Sequence, residues 1–113
     1  MKTSELFDLS RTLAEPLLRV CEYPWEALDD IASFIRTVGP TLGSDFERRG
    51  EEIWVARDAV VASTAFLGGP CIIDHGAEIR HCAFIRGSAI VGKNAVVGNS
   101  VELKNVVLFD NVQ

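Results

Sequence analysis

The residues that could do chemistry are few. His75 and His81 are the only histidines, and an imidazole can act as a general base near neutral pH. Arg86 and Lys104 stand eighteen residues apart; if the fold brings them together, two neighbouring cations favour a phosphate or a carboxylate between them. Three cysteines, Cys21, Cys71 and Cys82, form no CxxC pair. A metal centre built from three histidines is out of reach with two, so no metal is expected. The chain contains no P-loop and no GxGxxG, and spacing supports no Ser-His-Asp arrangement.

What these side chains do depends on the elements that position them, and from Ile53 onward the spacing is six. Val55, Val61, Leu67, Ile73, Ile79, Ile85, Val91, Val97, Leu103 and Phe109 recur at that interval, all of them large and apolar. Four residues after each of the first nine comes a small one, Ala59, Ala65, Cys71, Ala77, Ala83, Ala89 and Ala95, or the slightly larger Val101 and Val107. Six of the chain's eleven alanines fall in that one register. A helix cannot place residues six apart on one face, and a plain strand repeats every two. A short strand followed by a sharp corner can. Three such sides close an eighteen-residue triangular coil, and coils stack by parallel strand pairing about 4.8 Å apart. Gly76, Gly87, Asn94, Asn99 and Asn105 fall where corners need turn-tolerant residues.

The stacking rule places the candidates. His75 falls between Arg57 and Lys93, and His81 between Ser63 and Asn99, so the two histidines project from different corners. Arg86 and Lys104 share one corner in successive coils, about 5 Å apart along the stack. Solvated side chains are the ordinary reading for all four; a phosphate contact at Arg86 and Lys104, and a substrate contact at His81, are the functional ones. Cys71 fills an interior position and Cys82 a corner beside His81. The sixth position points outward, and Trp54, Ile72, Ile90 and Leu108 form one apolar stripe that something must cover.

Before residue 53 the period is helical. Thr12 and Glu15 make a capping box with Pro16 in the first turn, and Pro24 opens a second helix. Leu28, Ile31, Ile35 and Val38 share a face of that second helix, which Gly39-Pro40 ends; these helices are the expected cover for the stripe. Residues 39–52, rich in charge and glycine, read as a linker. The expected organisation is therefore a helical element and linker over 1–52 and a β-helix of about three coils over 53–113.

A net charge of −5 argues against a nucleic-acid partner, and no apolar run is long enough to cross a bilayer as a helix. With 48% hydrophobic and 24% charged residues the chain has the composition of a soluble globular domain. An odd number of cysteines, two of them within the repeat, suggests reduced thiols in a cytoplasmic protein.

The repeats resemble those of the hexapeptide-repeat acyltransferases, with an aliphatic residue, a small or acidic one, two variable ones and a small one. The segments LFDLSRTLAEPLLRV, YPWEALDDIASFI, AEIRHCAFIRGSAIVG and AVVGNSVELKNVVLFDNVQ are similar to the N-terminal half of a bacterial group related to UDP-N-acetylglucosamine pyrophosphorylase. The resemblance implies a left-handed winding, against the usual right-handed crossover. It further implies a homotrimer with active sites in the grooves between β-helices, and acyl transfer from acetyl-CoA to a sugar or sugar nucleotide. Such proteins carry further coils holding the catalytic machinery, so this chain is expected to be an incomplete, inactive part of one, and no catalytic residue is carried over. It has no room for a nucleotide-transferring domain. A non-catalytic assembly module and a nucleotide-sugar-binding regulatory module are the alternatives.

Overall fold

The computed structural model describes residues 24–112, with their side chains from Ile31. The Thr12 capping box and Cys21 lie outside the described residues. Helix α1 (Pro24–Val38) begins at the proline and runs into a 3-10 turn at Gly39–Thr41, where Thr41 Oγ1 donates to the Val38 carbonyl at 2.6 Å. Eleven short strands follow: β1 (Phe46–Gly50), β2 (Ile53–Ala56), β3 (Val60–Val61), β4 (Phe66–Leu67), β5 (Cys71–Ile73), β6 (Glu78–Ile79), β7 (Phe84–Ile85), β8 (Ala89–Val91), β9 (Val96–Val97), β10 (Glu102–Leu103) and β11 (Val106–Leu108).

These strands wind a parallel β-solenoid of about three turns with three faces. The first face has the order β1-β2-β5-β8-β11, the second β3-β6-β9 and the third β10-β7-β4. Ile53 pairs with Cys71 and Cys71 with Ala89, steps of eighteen residues. The second and third faces keep that step, as in Val60 beside Glu78 and Phe66 beside Phe84. Val55, Ile73 and Val91 fill the interior with Ile79, Ile85 and Val97, while Ala77, Ala83, Ala89 and Ala95 pack where the corners narrow. Cys71 belongs to this interior, and burial pushes its thiol up to about 12, so it behaves as a small apolar filler.

Corners are made by residues with positive φ: Gly76, Cys82, Ser88, Asn94, Ser100, Asn105 and Asn111 among them. At Gly76 (φ +70°) a Cβ would meet the Asn94 amide oxygen stacked beneath it, so the residue answers both to the turn and to the close approach of the next coil.

The sequence stripe is covered, as its composition requires. Ile31 and Ile35 of α1 pack with Trp54, Ile72 and Ile90 of the first face. Phe34, Val38, Leu42, Phe46, Val107 and Phe109 pack against that cluster, so Phe109 joins the cover and not the interior its register predicts. One rung differs from the repeat: Val106 pairs with Ala89 and Leu108 with Val91, steps of seventeen. The fourth stripe residue is therefore Val107, beside Ile90, and Leu108 takes the inward place beside Val91.

The 39–52 segment is more than a linker. Its β1 pairs antiparallel with β2, setting Phe46 beside Ala56 and Arg48 beside Trp54, with the Arg48 guanidinium 5.6 Å from the indole centroid. The charges that read as linker sit on an edge strand, where they discourage pairing with another chain. An ion pair between Arg36 and Glu52 joins the last turn of α1 to the turn between β1 and β2.

Candidate functional site

Both histidines sit at corners, and each is gripped by the coil before it in the same way. Between the first and second faces, Asp58 Oδ1 accepts from the His75 ring at 3.0 Å and from the Gly76 amide at 3.2 Å. The ring of Phe46 packs edge-on to His75 with centroids 5.1 Å apart. Between the second and third faces, Thr64 Oγ1 lies 2.8 Å from His81 Nδ1 and accepts from the Cys82 amide at 3.1 Å. On the other side of that ring, His81 Nε2 lies 3.3 Å from Cys82 Sγ. The eighteen-residue rule points each histidine at Arg57 or Ser63; the rings instead reach one residue further, to Asp58 and Thr64.

The third face runs from the His81 corner to the corner of Arg86 and Lys104. Phe66 and Phe84 occupy adjacent coils on it, stacked with centroids 4.6 Å apart, 53% and 41% exposed. The Arg86 guanidinium stands 5.6 Å from the Phe84 centroid, and its Nη1 donates to Glu102 Oε1 at 3.2 Å. Leu103 pairs with Ile85 and its carbonyl accepts the Arg86 amide at 2.8 Å, which sets Lys104 one coil beyond Arg86. The cations thus share a corner, and Glu102 is a carboxylate that answers Arg86. Sequence reasoning weighed a partner carboxylate there but did not single out Glu102, although its position, sixteen residues after Arg86, was available.

Near the first corner Asp74 is buried, 1% exposed. Its Oδ1 accepts the His75 amide at 2.7 Å, while Oδ2 has no partner. Burial pushes this carboxyl above the ordinary carboxylate value, partly offset by the His75 amide and the nearby Lys93. At the last coil an apolar groove of about 180 Å³ opens between Val97, Val101, Leu103 and Leu108, away from the histidines.

Among the described residues, no three of His, Cys, Asp and Glu gather as metal ligands would, and no helix is long and apolar enough to cross a membrane. Compared with known proteins, the chain gives no significant match to any family model, curated protein or solved structure. The parallel β-solenoid is what the geometry itself defines.

Proposed function

We propose that the third face binds the nucleotide end of a CoA thioester or a sugar nucleotide, as one wall of a hexapeptide-repeat acyltransferase that acts on a sugar. The observation that carries this reading is the order of groups on that face: an exposed aromatic pair, Phe66 and Phe84, bordered by two cations on one corner, Arg86 and Lys104. A nucleobase stacks on an exposed aromatic ring with about 1–3 kcal/mol per base. The diphosphate then falls to the cations. Glu102 competes for Arg86, but an exposed ion pair is worth about 0–1 kcal/mol, so a phosphate with two cations to meet displaces it. The acyl-transfer chemistry, a general base and a donor to the thioester oxyanion, is not assigned to residues of this chain. Assembly as a homotrimer would set this wall against a neighbouring β-helix.

The test is calorimetric titration of acetyl-CoA and of UDP-N-acetylglucosamine, with solution mass followed by light scattering. Binding should disappear in Arg86→Ala/Lys104→Ala and tighten about two- to tenfold in Glu102→Gln, which frees Arg86. An oligomer that binds neither ligand would instead favour a non-catalytic assembly module. The exposed Val60, Phe66 and Phe84 suit that second reading, since apolar side chains on the outer faces are also what a partner subunit covers.

A further inference from the structure

We infer that Cys82 is a reactive thiol, built for exchange with low-molecular-weight disulfides such as glutathione disulfide, with His81 as its base and Thr64 positioning the ring. The inference is independent of nucleotide binding, because it stands on the second corner alone.

Three observations meet there. Cys82 is an exposed free cysteine, whereas Cys71 is enclosed in the interior with its thiol held protonated. His81 Nε2 is 3.3 Å from Sγ, within reach of the thiol's proton. Thr64 Oγ1 has two lone pairs; one accepts the Cys82 amide, and the other is placed 2.8 Å from His81 Nδ1. When Nε2 takes the thiol proton, the imidazolium therefore has a partner on both nitrogens, Thr64 on one side and the thiolate on the other. The corresponding grip at the first corner, Asp58 on His75, ends in Gly76 and has no nucleophile. Cys82 also occupies a positive-φ corner (58°), the conformation that Ser100 takes at the same place one coil further on.

The step balances without a further reactant. The Cys82 proton passes to His81 Nε2, and Sγ attacks one sulfur of the disulfide. A new S–S bond forms as the old one breaks. The departing thiolate takes the proton back from His81, leaving Cys82 oxidised to a mixed disulfide and one small thiol released.

The experiment uses the full chain carrying Cys21→Ser, so that Cys71 and Cys82 are the remaining thiols. The probes are dithionitrobenzoate and glutathione disulfide, with the adduct located by peptide mass spectrometry. One equivalent should react about tenfold faster at neutral pH than free glutathione does, at Cys82, and Cys71 should stay silent until the chain unfolds. His81→Gln should slow the reaction about tenfold, and Thr64→Val should give a smaller loss. Cys82→Ser should abolish fast labelling in a folded protein, since Ser100 already holds the same kind of corner. A rate equal to that of glutathione, or one unchanged in His81→Gln, overturns the inference. So does fast labelling that survives Cys82→Ser.

Discussion

Asp58 reaches from one coil to the next to hold His75, its Oδ1 3.0 Å from the ring Nδ1, and the same oxygen takes the Gly76 amide. The His75 hydrogen bond holds the Asp58 carboxyl below the usual carboxylate value against the opposing effect of desolvation, with the Gly76 amide helping. A carboxyl depressed in the folded state contributes stability above its unfolded value and loses it as pH falls through the folded one. Wild type should therefore melt higher than Asp58→Asn above the ordinary carboxylate range, with the gap closing as pH falls below it. The gap will be small, because the group is fully exposed. Melting curves of both proteins across that range check it, and an unchanged gap would count against the charge-assisted bond.

Asp74 should titrate the other way. Its buried carboxyl is raised, so its contribution is fully present below the unfolded carboxylate value and is lost as pH rises through the folded one. Asp74→Asn keeps an oxygen for the His75 amide and removes the charge. Its new amide adds a roughly constant cost of about 1–3 kcal/mol if left unpaired, so the slope and not the offset is diagnostic. The stability of the variant relative to wild type should rise as pH climbs above the unfolded carboxylate value of about 4, by about 1.4 kcal/mol for each unit by which the pKa is raised. Urea unfolding at several pH values measures this; a flat difference means Asp74 titrates normally.

The interior and the cover were legible from spacing, and the exceptions have physical causes. Val55, Ile73 and Val91 face inward where the six-residue register puts them, and Trp54, Ile72 and Ile90 lie under a helix whose own apolar face asked for a partner. The register slips at Val106 because Val106, Val107, Leu108 and Phe109 are all apolar, and a run without alternation fits two pairings equally well. The strand β1 was hidden for a related reason. FERRG is charged along an edge and half exposed, so it shows no period at all. Thr64 and Asp58 were missed because the eighteen-residue rule aligns backbones, whereas each histidine ring leans one residue beyond its backbone neighbour to reach an oxygen.

If α1 is an integral cover, Ile72 is where it is held. That side chain is fully buried between Trp54 and Ile90, beneath Ile31 and Ile35. Ile72→Ala removes buried methyl groups and leaves a cavity between helix and sheet, which should cost about 2–5 kcal/mol. Val60→Ala, on the uncovered second face, should stay within about 0.5 kcal/mol of wild type. Equal costs for the two substitutions in urea unfolding would mean that α1 does not dock on the first face.

Gly39 is a sharper test of the same contact, because it asks whether the chain can leave the helix at any other distance from the sheet. A Cβ at this position would lie 2.5 Å from the Trp54 ring, and Trp54 is itself buried and crossed by Arg48 on β1. The ring has nowhere to move, so Gly39→Ala must push the 3-10 turn off the stripe, at about 1–3 kcal/mol. Trp54→Leu removes the obstacle at its own cost in lost burial, and Gly39→Ala should then be nearly neutral. The double-mutant cycle should show a coupling of about 0.5–3 kcal/mol, with the pair less destabilised than the sum of the single substitutions. Strict additivity would place the cost of Gly39→Ala in the backbone of the turn and not in its approach to Trp54.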